Sequence, residues 1–422
     1  MLKNKKIKAH KAVKRTPPTV KPAASSVSRK ITKQSFSRAK SAEDPVSHGT
    51  KQKRINIGVI FGGRSGEHEV SLVSARSIIQ NIDAEKYNIF QIGITGDGEW
   101  LTGPDALEAF KNKKTKSLTS VFMSLDSPSQ KLKLHDGGGK LICELDIVFP
   151  VLHGPFGEDG TIQGLLEMAN VAYVGCSVLG SAIGMDKIVA KKLLDKAGIP
   201  TPKYIWFTRD YFDKNKKAVI KSVGRDLGYP CFTKPACLGS SVGISKVKHE
   251  NNLEKAVNEA AKYDRKIIIE KGINGRELEC AVLGNYNPKA SVVGEVIVGG
   301  EFYDYFDKYV NGKSKTKIPA EIPRNASEEF QMMALKTYRA LDCCGMARVD
   351  GFLCRDTGKL YINEINTIPG FTSISMFPKL WEYSGMPYKK LIEELIRLGL
   401  ETHKEKNKNK IAFDLKSDWY KK

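Results

Sequence analysis

The chain has 422 residues, enough to bury a large core in two or three domains, and a formal net charge of +21. Residues 1 to 54 hold 16 Lys or Arg against Glu43 and Asp44, a net +14, which leaves +7 for the other 368. The body is therefore ordinary in charge, which argues against a nucleic-acid surface spread over the whole protein, and no apolar stretch approaches the roughly 18 residues of a membrane span.

Taken in chain order, the first segment (1–54) is Lys-, Ser- and Pro-rich and reads as a disordered basic tail, too poor in large apolar residues to offset its ordering entropy. It lacks the apolar core of a secretory signal, so the protein is expected to be cytoplasmic. The eight cysteines form no C-x-x-C pair and read as reduced thiols rather than a zinc site or disulfide framework. Structure begins at "INIGVIF", a buried strand, followed by the turn "GGRSG" and an amphipathic helix in "EVSLVSARSIIQNI" with Val70, Val73 and Ile78 on one side. "LDIVFPVLHGPFGEDGTIQGLLEMANVAYVGCS" repeats strand, glycine loop, helix, strand, and completes an α/β unit near residue 175. A nicotinamide-type Rossmann site is excluded there, because G-x-G-x-x-G is absent. From "MDKIVAKKLLDKAGIPTPKY" the pattern changes to a helix and short strands, including "CFTKP" and "VGISKV". From about 270 it is a run of strands with helices at 326–341 and 387–401.

Near the end of that run, "MARVDGFLCRDTGKLYINEIN" reads as two strands around an Asp-Thr-Gly turn. A turn centred near Thr357 makes facing residues sum to about 714, which sets Asp350 opposite Glu364 and Arg348 opposite Asn366 on one face. Two buried carboxylates facing across a ladder repel and need a cation between them. Oxygen donors without His or Cys suit a hard ion such as magnesium. An Arg348 ion pair, or a solvated strand face, is the alternative.

Other constellations are weaker alone. "FTKPACLGSSVGISKV" puts Lys234 before a Gly-Ser loop able to offer N–H and hydroxyl groups to phosphates, although it is no Walker loop and also reads as a mobile surface hairpin. "IIIEKGINGRELEC" carries Glu270 and Glu277 on either side of an Asn-Gly turn. "FYDYFDKYVNGKSKTK", residues 302–317, reads as a long loop and candidate lid. Glu67 stands in the first turn of a helix, where the macrodipole alone explains an acid and a grip on an ammonium group is the functional reading. His68 and His153 read as structural or orienting groups.

Together, "GGRSGEHEVSLVSA", "HGPFGEDGTIQG", "GMDK", "KPACLGSSVG", "YDYFDKY", "MARVDGF" and "NEINTIPGFTS" resemble the D-alanine:D-alanine ligases of the ATP-grasp superfamily over residues 55–402. The resemblance implies α/β and α+β architecture in three domains, with a Rossmann-like N-terminal layer (55–175), a central lid domain (176–270) and a catalytic domain (271–402) holding nucleotide between the last two. Residues 403–422 then form a charged tail. It implies ATP-dependent ligation of two D-alanines through an acyl phosphate for peptidoglycan synthesis, with D-lactate or D-serine as alternative acceptors. Asp350, Glu364 and Asn366 match ligands of two magnesium (or manganese) ions. Lys187, Lys234, Glu270, Lys271, Glu277 and Lys308 match ATP contacts. Arg348 and Gly370 match the oxyanion-holding groups, Glu67, Ser240 and Tyr309 a hydrogen-bonded set near the first D-alanine, and Ser375 and Met376 contacts to the second. Tyr309 also favours D-alanine over D-lactate as acceptor. A homodimer is implied. Cys237 departs from the family's usual polar or basic residue, and the resemblance does not reach the basic tail, whose partner stays open.

Overall fold

The computed structural model describes residues 53–125, 129–297 and 315–410. The readings of 1–54 as a disordered tail and of 302–317 as a lid lie almost wholly outside the described residues, and so do Lys308 and Tyr309.

The first part runs β1 (Ile55–Gly62), α1 (His68–Asn81), β2 (Tyr87–Ile94), β3 (Trp100–Thr102), α2 (Ala106–Lys111), β4 (Thr119–Ser124), β5 (Leu132–Asp136), β6 (Leu141–Leu145), β7 (Ile147–Pro150), α3 (Thr161–Met168) and β8 (Ala172–Tyr173). These strands make one sheet in the order β6-β5-β4-β3-β2-β1-β7-β8. β2, β1, β7 and β8 are parallel, and β3 to β6 extend the sheet by antiparallel pairing, with α2 in the connection from β3 to β4. β1 is buried and apolar from Ile57 onward because it is central and covered on both faces. Gly62 ends it at φ +86°, where a Cβ would stand 2.3 Å from the Ile94 carbonyl oxygen, so the turn into α1 requires glycine.

The expected apolar stripe on α1 is corrected at one residue. Val70 and Ile78 are buried, but Val73 is 52% exposed. The inward face instead carries Ser71, Ser74 and Ala75. Ser71 accepts from the Gly62 N–H and donates to the Val151 carbonyl, so hydroxyls that anchor loops occupy positions that hydrophobicity alone would give to valine.

The next part is α4 (Val178–Met185), α5 (Lys187–Lys196), β9 (Tyr204–Thr208), α6 (Arg209–Asp226), β10 (Cys231–Pro235), β11 (Ser245–Val247), α7 (Leu253–Ala260) and β12 (Lys266–Lys271). Its antiparallel sheet, β11-β10-β12-β9, buries Phe207, Cys231, Ile267 and Ile269 against Phe212, Val223 and Val257 of α6 and α7.

The last part is β13 (Gly275–Leu283), β14 (Lys289–Ile297), β15 (Lys315–Lys317), α8 (Arg324–Ala340), β16 (Met346–Cys354), β17 (Leu360–Asn366), α9 (Met376–Tyr383) and α10 (Tyr388–Lys406). Its sheet is β15-β14-β13-β16-β17, all antiparallel. The Asn274-Gly275 turn does not fold β12 back onto β13; it carries the chain from one sheet to the next. Residues 315–317, read as loop, pair with β14 as a strand.

The apolar stripe of α10, including Leu391, Ile392, Leu395 and Ile396, packs into the same core as Ile57, Ile147 and Phe149 of the first sheet. Gly399 permits this: a Cβ there would lie 2.5 Å from the Tyr173 carbonyl oxygen. Both ends of the described chain thus share one core.

Candidate active site

The strand pair β16–β17 positions the acidic groups. Near its turn, facing residues sum to 713, as in Leu353 opposite Leu360 and Gly351 opposite Ile362. Asn363 is then inserted as a bulge, after which Asp350 faces Glu364 and Arg348 faces Asn366, the expected partners. On the other side of β16, β13 places Glu279 directly opposite Asp350. Three carboxylates, Glu279, Asp350 and Glu364, therefore form a row across three neighbouring strands. Arg348 reaches two of them: Nε and Nη2 donate to the Asp350 carboxylate at 2.7 and 2.6 Å, and Nε lies 3.0 Å from Glu279 Oε2. Asn366 donates to Asp350 Oδ2 at 2.9 Å. The Arg348 ion pair is thus present, and it covers the row rather than replacing it.

The facing wall comes from α5, β10 and β12. Asp186 caps α5 by accepting from the Ile188 and Val189 N–H groups, which puts Lys187 in the first turn. Lys187 Nζ donates to the Leu238 carbonyl at 2.8 Å and stands 3.3 Å from Glu364 Oε2. Lys234 Nζ lies 2.7 Å from Glu270 Oε2. Burial would raise the Glu270 carboxyl, but the ammonium groups of Lys191 and Lys234 outweigh it and hold it at about 2. Glu270 is accordingly a fixed anion.

Between these walls lies a cavity of about 720 Å³, well inside the range of ligand pockets. Lys187, Lys234, Glu270, Lys271 and Glu277 line it, as do Asp350 and Glu364, so every described candidate nucleotide contact reaches one space. The loop 236–244 closes one side. Ser240 and Ser241 there have φ of +49° and +60°, and the Cys237 N–H donates to Asp264 Oδ2 at 2.8 Å. Burial, with Asp186 and Asp264 nearby, pushes the Cys237 thiol up to about 12, so it acts as a neutral apolar group there.

An adjoining cavity of about 90 Å³ is bounded by Glu67, Ser240, Arg348, Gly370, Ser375 and Met376. Ser240 Oγ donates to the Glu67 carboxylate, joining the start of α1 to the 236–244 loop. Met376 is 4% exposed and belongs partly to the core beneath. The loop 367–375 is pinned from behind. His153 contacts the Ile368 carbonyl at 3.2 Å and Ser74 Oγ at 3.0 Å, Ser74 accepts from the Phe371 N–H at 3.3 Å, and Tyr388 donates to the Phe371 carbonyl at 2.9 Å. Burial pulls the His153 pKa down, but Glu158 at 3.6 Å more than compensates and the net shift is upward. His153 is the orienting group expected of it.

Glu279, Lys191 and Asn363 are the site residues that sequence reasoning passed over. Glu279 is two residues after Glu277 on the same strand face, and Lys191 is one helical turn after Lys187, so both had a spacing signal. Asn363 had none, since a bulge is not written in residue type.

Among the described residues no three His, Cys, Asp or Glu side chains converge on one point. The chain offers the Asp350 and Glu364 carboxylates to the larger cavity and the Asn366 amide to the adjoining one, an all-oxygen partial set of the kind magnesium completes with substrate phosphates. The residues fit such an ion.

Two antiparallel sheets closing on a cleft lined by lysines and carboxylates, behind an N-terminal sheet wound on parallel strands, define an ATP-grasp ligase. Family models described as D-ala D-ala ligase N-terminus and D-ala D-ala ligase C-terminus match residues 56–176 and 193–397. The chain is 51% identical over 356 residues to the D-alanine--D-alanine ligase of Thermoanaerobacter sp. strain X514, covering 84% of this chain and 99% of that protein. It is 48% identical over 371 residues to that of Acetivibrio thermocellus, covering 82% and 96%. Among solved structures it resembles the VanG D-Ala:D-Ser ligase of Enterococcus faecalis, with TM-score 0.73 and 39% identity over 82% of this chain and 100% of that one. The D-alanine-D-alanine ligase of Coxiella burnetii gives 0.72 and 36% over 84% and 98%. The chain belongs to the D-alanine:D-alanine ligase family.

Proposed function

We propose that this enzyme uses ATP to join two D-alanines into D-alanyl-D-alanine for peptidoglycan, acting in the cytoplasm as a homodimer. The observation that carries the reading is the row Glu279–Asp350–Glu364 under Arg348, facing Lys187 and Lys234 across one cleft that runs into the Glu67–Ser240 pocket.

A carboxylate is a poor electrophile, so the first D-alanine carboxylate attacks the terminal phosphorus of ATP, giving an acyl phosphate and ADP. The second amine attacks the acyl carbon, and the tetrahedral intermediate expels phosphate to leave the amide. Lys187, Lys234 and Lys308 neutralise phosphate oxygens, while Glu270, Lys271 and Glu277 hold the adenosine end. Glu67, fixed by Ser240 and assisted by Tyr309, grips the ammonium of the first D-alanine. Arg348 and the backbone at Gly370 stabilise the oxyanion, and Ser375 with Met376 receives the second amino acid. Asp350, Glu364 and Asn366 would hold two magnesium or manganese ions, which supply charge neutralisation at the transferring phosphoryl group. The division into units 55–175, 176–270 and 271–402 belongs to the same reading and is supported by the presence of three separate sheets.

D-alanine as second substrate is supported by the names of relatives 46–51% identical, against one D-Ala:D-Ser ligase at 39%. Phosphate release from ATP with magnesium tests the reading. It is expected to require D-alanine and to be unresponsive to L-alanine; faster release with D-serine or D-lactate than with a second D-alanine overturns the acceptor.

A further inference from the structure

Lys191 lies behind the wall of the nucleotide cavity rather than in it, and its side chain is 1% exposed. A lone ammonium buried so deeply is costly, and burial lowers its pKa. Its Nζ sits 2.9 Å from Glu270 Oε1, an ionic contact off the hydrogen-bonding direction, and donates to the bulged Asn363 carbonyl at 3.2 Å. Glu270 Oε2 takes Lys234 Nζ at 2.7 Å, and Lys234 donates to Asn363 Oδ1 at 3.3 Å. The four groups close a ring that ties α5, the four-stranded sheet and the five-stranded sheet together across the floor of the cleft.

The charge count of the ring explains why two lysines share one glutamate. With Lys191 present, Glu270 is already compensated from behind, and the trio Lys191, Glu270 and Lys234 keeps a net +1 that faces the cavity through Lys234. Without Lys191, Lys234 and Glu270 neutralise each other and that pair offers the cavity no net charge. We propose that Lys191 is a positioning residue that satisfies Glu270 from the interior so that Lys234 keeps its positive charge for the polyphosphate of the nucleotide. The inference rests on the nucleotide reading of the cleft.

Direct calorimetric binding to the full chain tests it, with ATP plus magnesium and with adenosine as separate probes. Lys191→Met is expected to weaken ATP binding roughly tenfold to a hundredfold, the scale of a lost charge-assisted contact, while adenosine binding changes less than about threefold. Adding Glu270→Gln removes the anion that would neutralise Lys234, so Lys191→Met/Glu270→Gln is expected to regain most of the loss in the ratio of ATP to adenosine affinity. The double variant also leaves no unpaired buried carboxylate, which protects the test if the single variant folds poorly. Equal weakening of both probes, or losses that simply add in the double variant, overturns the proposal and leaves Lys191 a packing group. Failure of the wild-type chain to bind ATP would instead overturn the nucleotide reading of the cleft itself.

Discussion

Arg348→Met is the perturbation that most directly separates the structural from the chemical role of the acidic row. Arg348, Asp350 and Glu279 have side chains only 15%, 15% and 8% exposed, so solvent screens them little. Facing side chains on adjacent strands are about 5 Å apart, and at an effective dielectric near 20 two carboxylates at that distance repel by about 3 kcal/mol. Removing one partner of a buried ion pair costs about 3–5 kcal/mol in general, which agrees. For a chain of 422 residues that loss lowers the unfolding midpoint by about 3–6 °C. Turnover falls further, by about two to three orders of magnitude, as for loss of one oxyanion donor. Thermal unfolding and D-alanine-dependent phosphate release are measured on Arg348→Met and on Arg348→Met/Glu279→Gln. The second variant removes one of the repelling charges, so it regains a large part of the stability and none of the turnover. A single variant that melts within about 1 °C of wild type refutes the buried pair. Wild-type turnover takes Arg348 out of the chemistry, and recovery of both properties together refutes their separation.

Glu364 is 29% exposed at the cleft surface and meets Lys187 at 3.3 Å, so Glu364→Gln should leave the unfolding midpoint within about 2 °C while depressing turnover at least a hundredfold and raising the magnesium concentration needed for half-maximal rate. An unaltered magnesium requirement removes Glu364 from the metal set. Glu270, held at about 2 against an ordinary 4.5, contributes stability that is complete above pH 4.5 and is lost as the pH falls toward 2. Urea unfolding should therefore show wild type losing about 3 kcal/mol of this term between pH 6 and the lower limit, with about half gone at pH 3, and Glu270→Gln should lack that loss; parallel pH profiles for the two proteins would refute the depressed carboxyl.

Sequence reasoning reached far here because the chemistry is concentrated in period-two strands and short loops. Alternation in "MARVDGF" and "NEIN" alone puts Asp350 and Arg348 on one face with Glu364 and Asn366. The turn between them is short enough to fix which residues meet, although the register at the site is reached only through the bulge at Asn363. Residue type also sufficed for the buried strand β1 and for the lysines that line the cavity.

Other features depend on neighbours distant in the chain, and no local pattern encodes them. Glu279 joins the acidic row because β13, not another strand, lies beside β16. Val73 is exposed and Ser74 buried because the loops of His153 and Phe371 dock on that side of α1, and their polar groups are better satisfied by a hydroxyl than by a methyl. The chain by itself determined which residue types could perform the chemistry and, within single hairpins, which of them face one another. Only the tertiary structure decided that Lys191, Glu270, Lys234 and Asn363, drawn from four elements, would meet in one ring, because burial and charge compensation exist only between surfaces that folding has brought together.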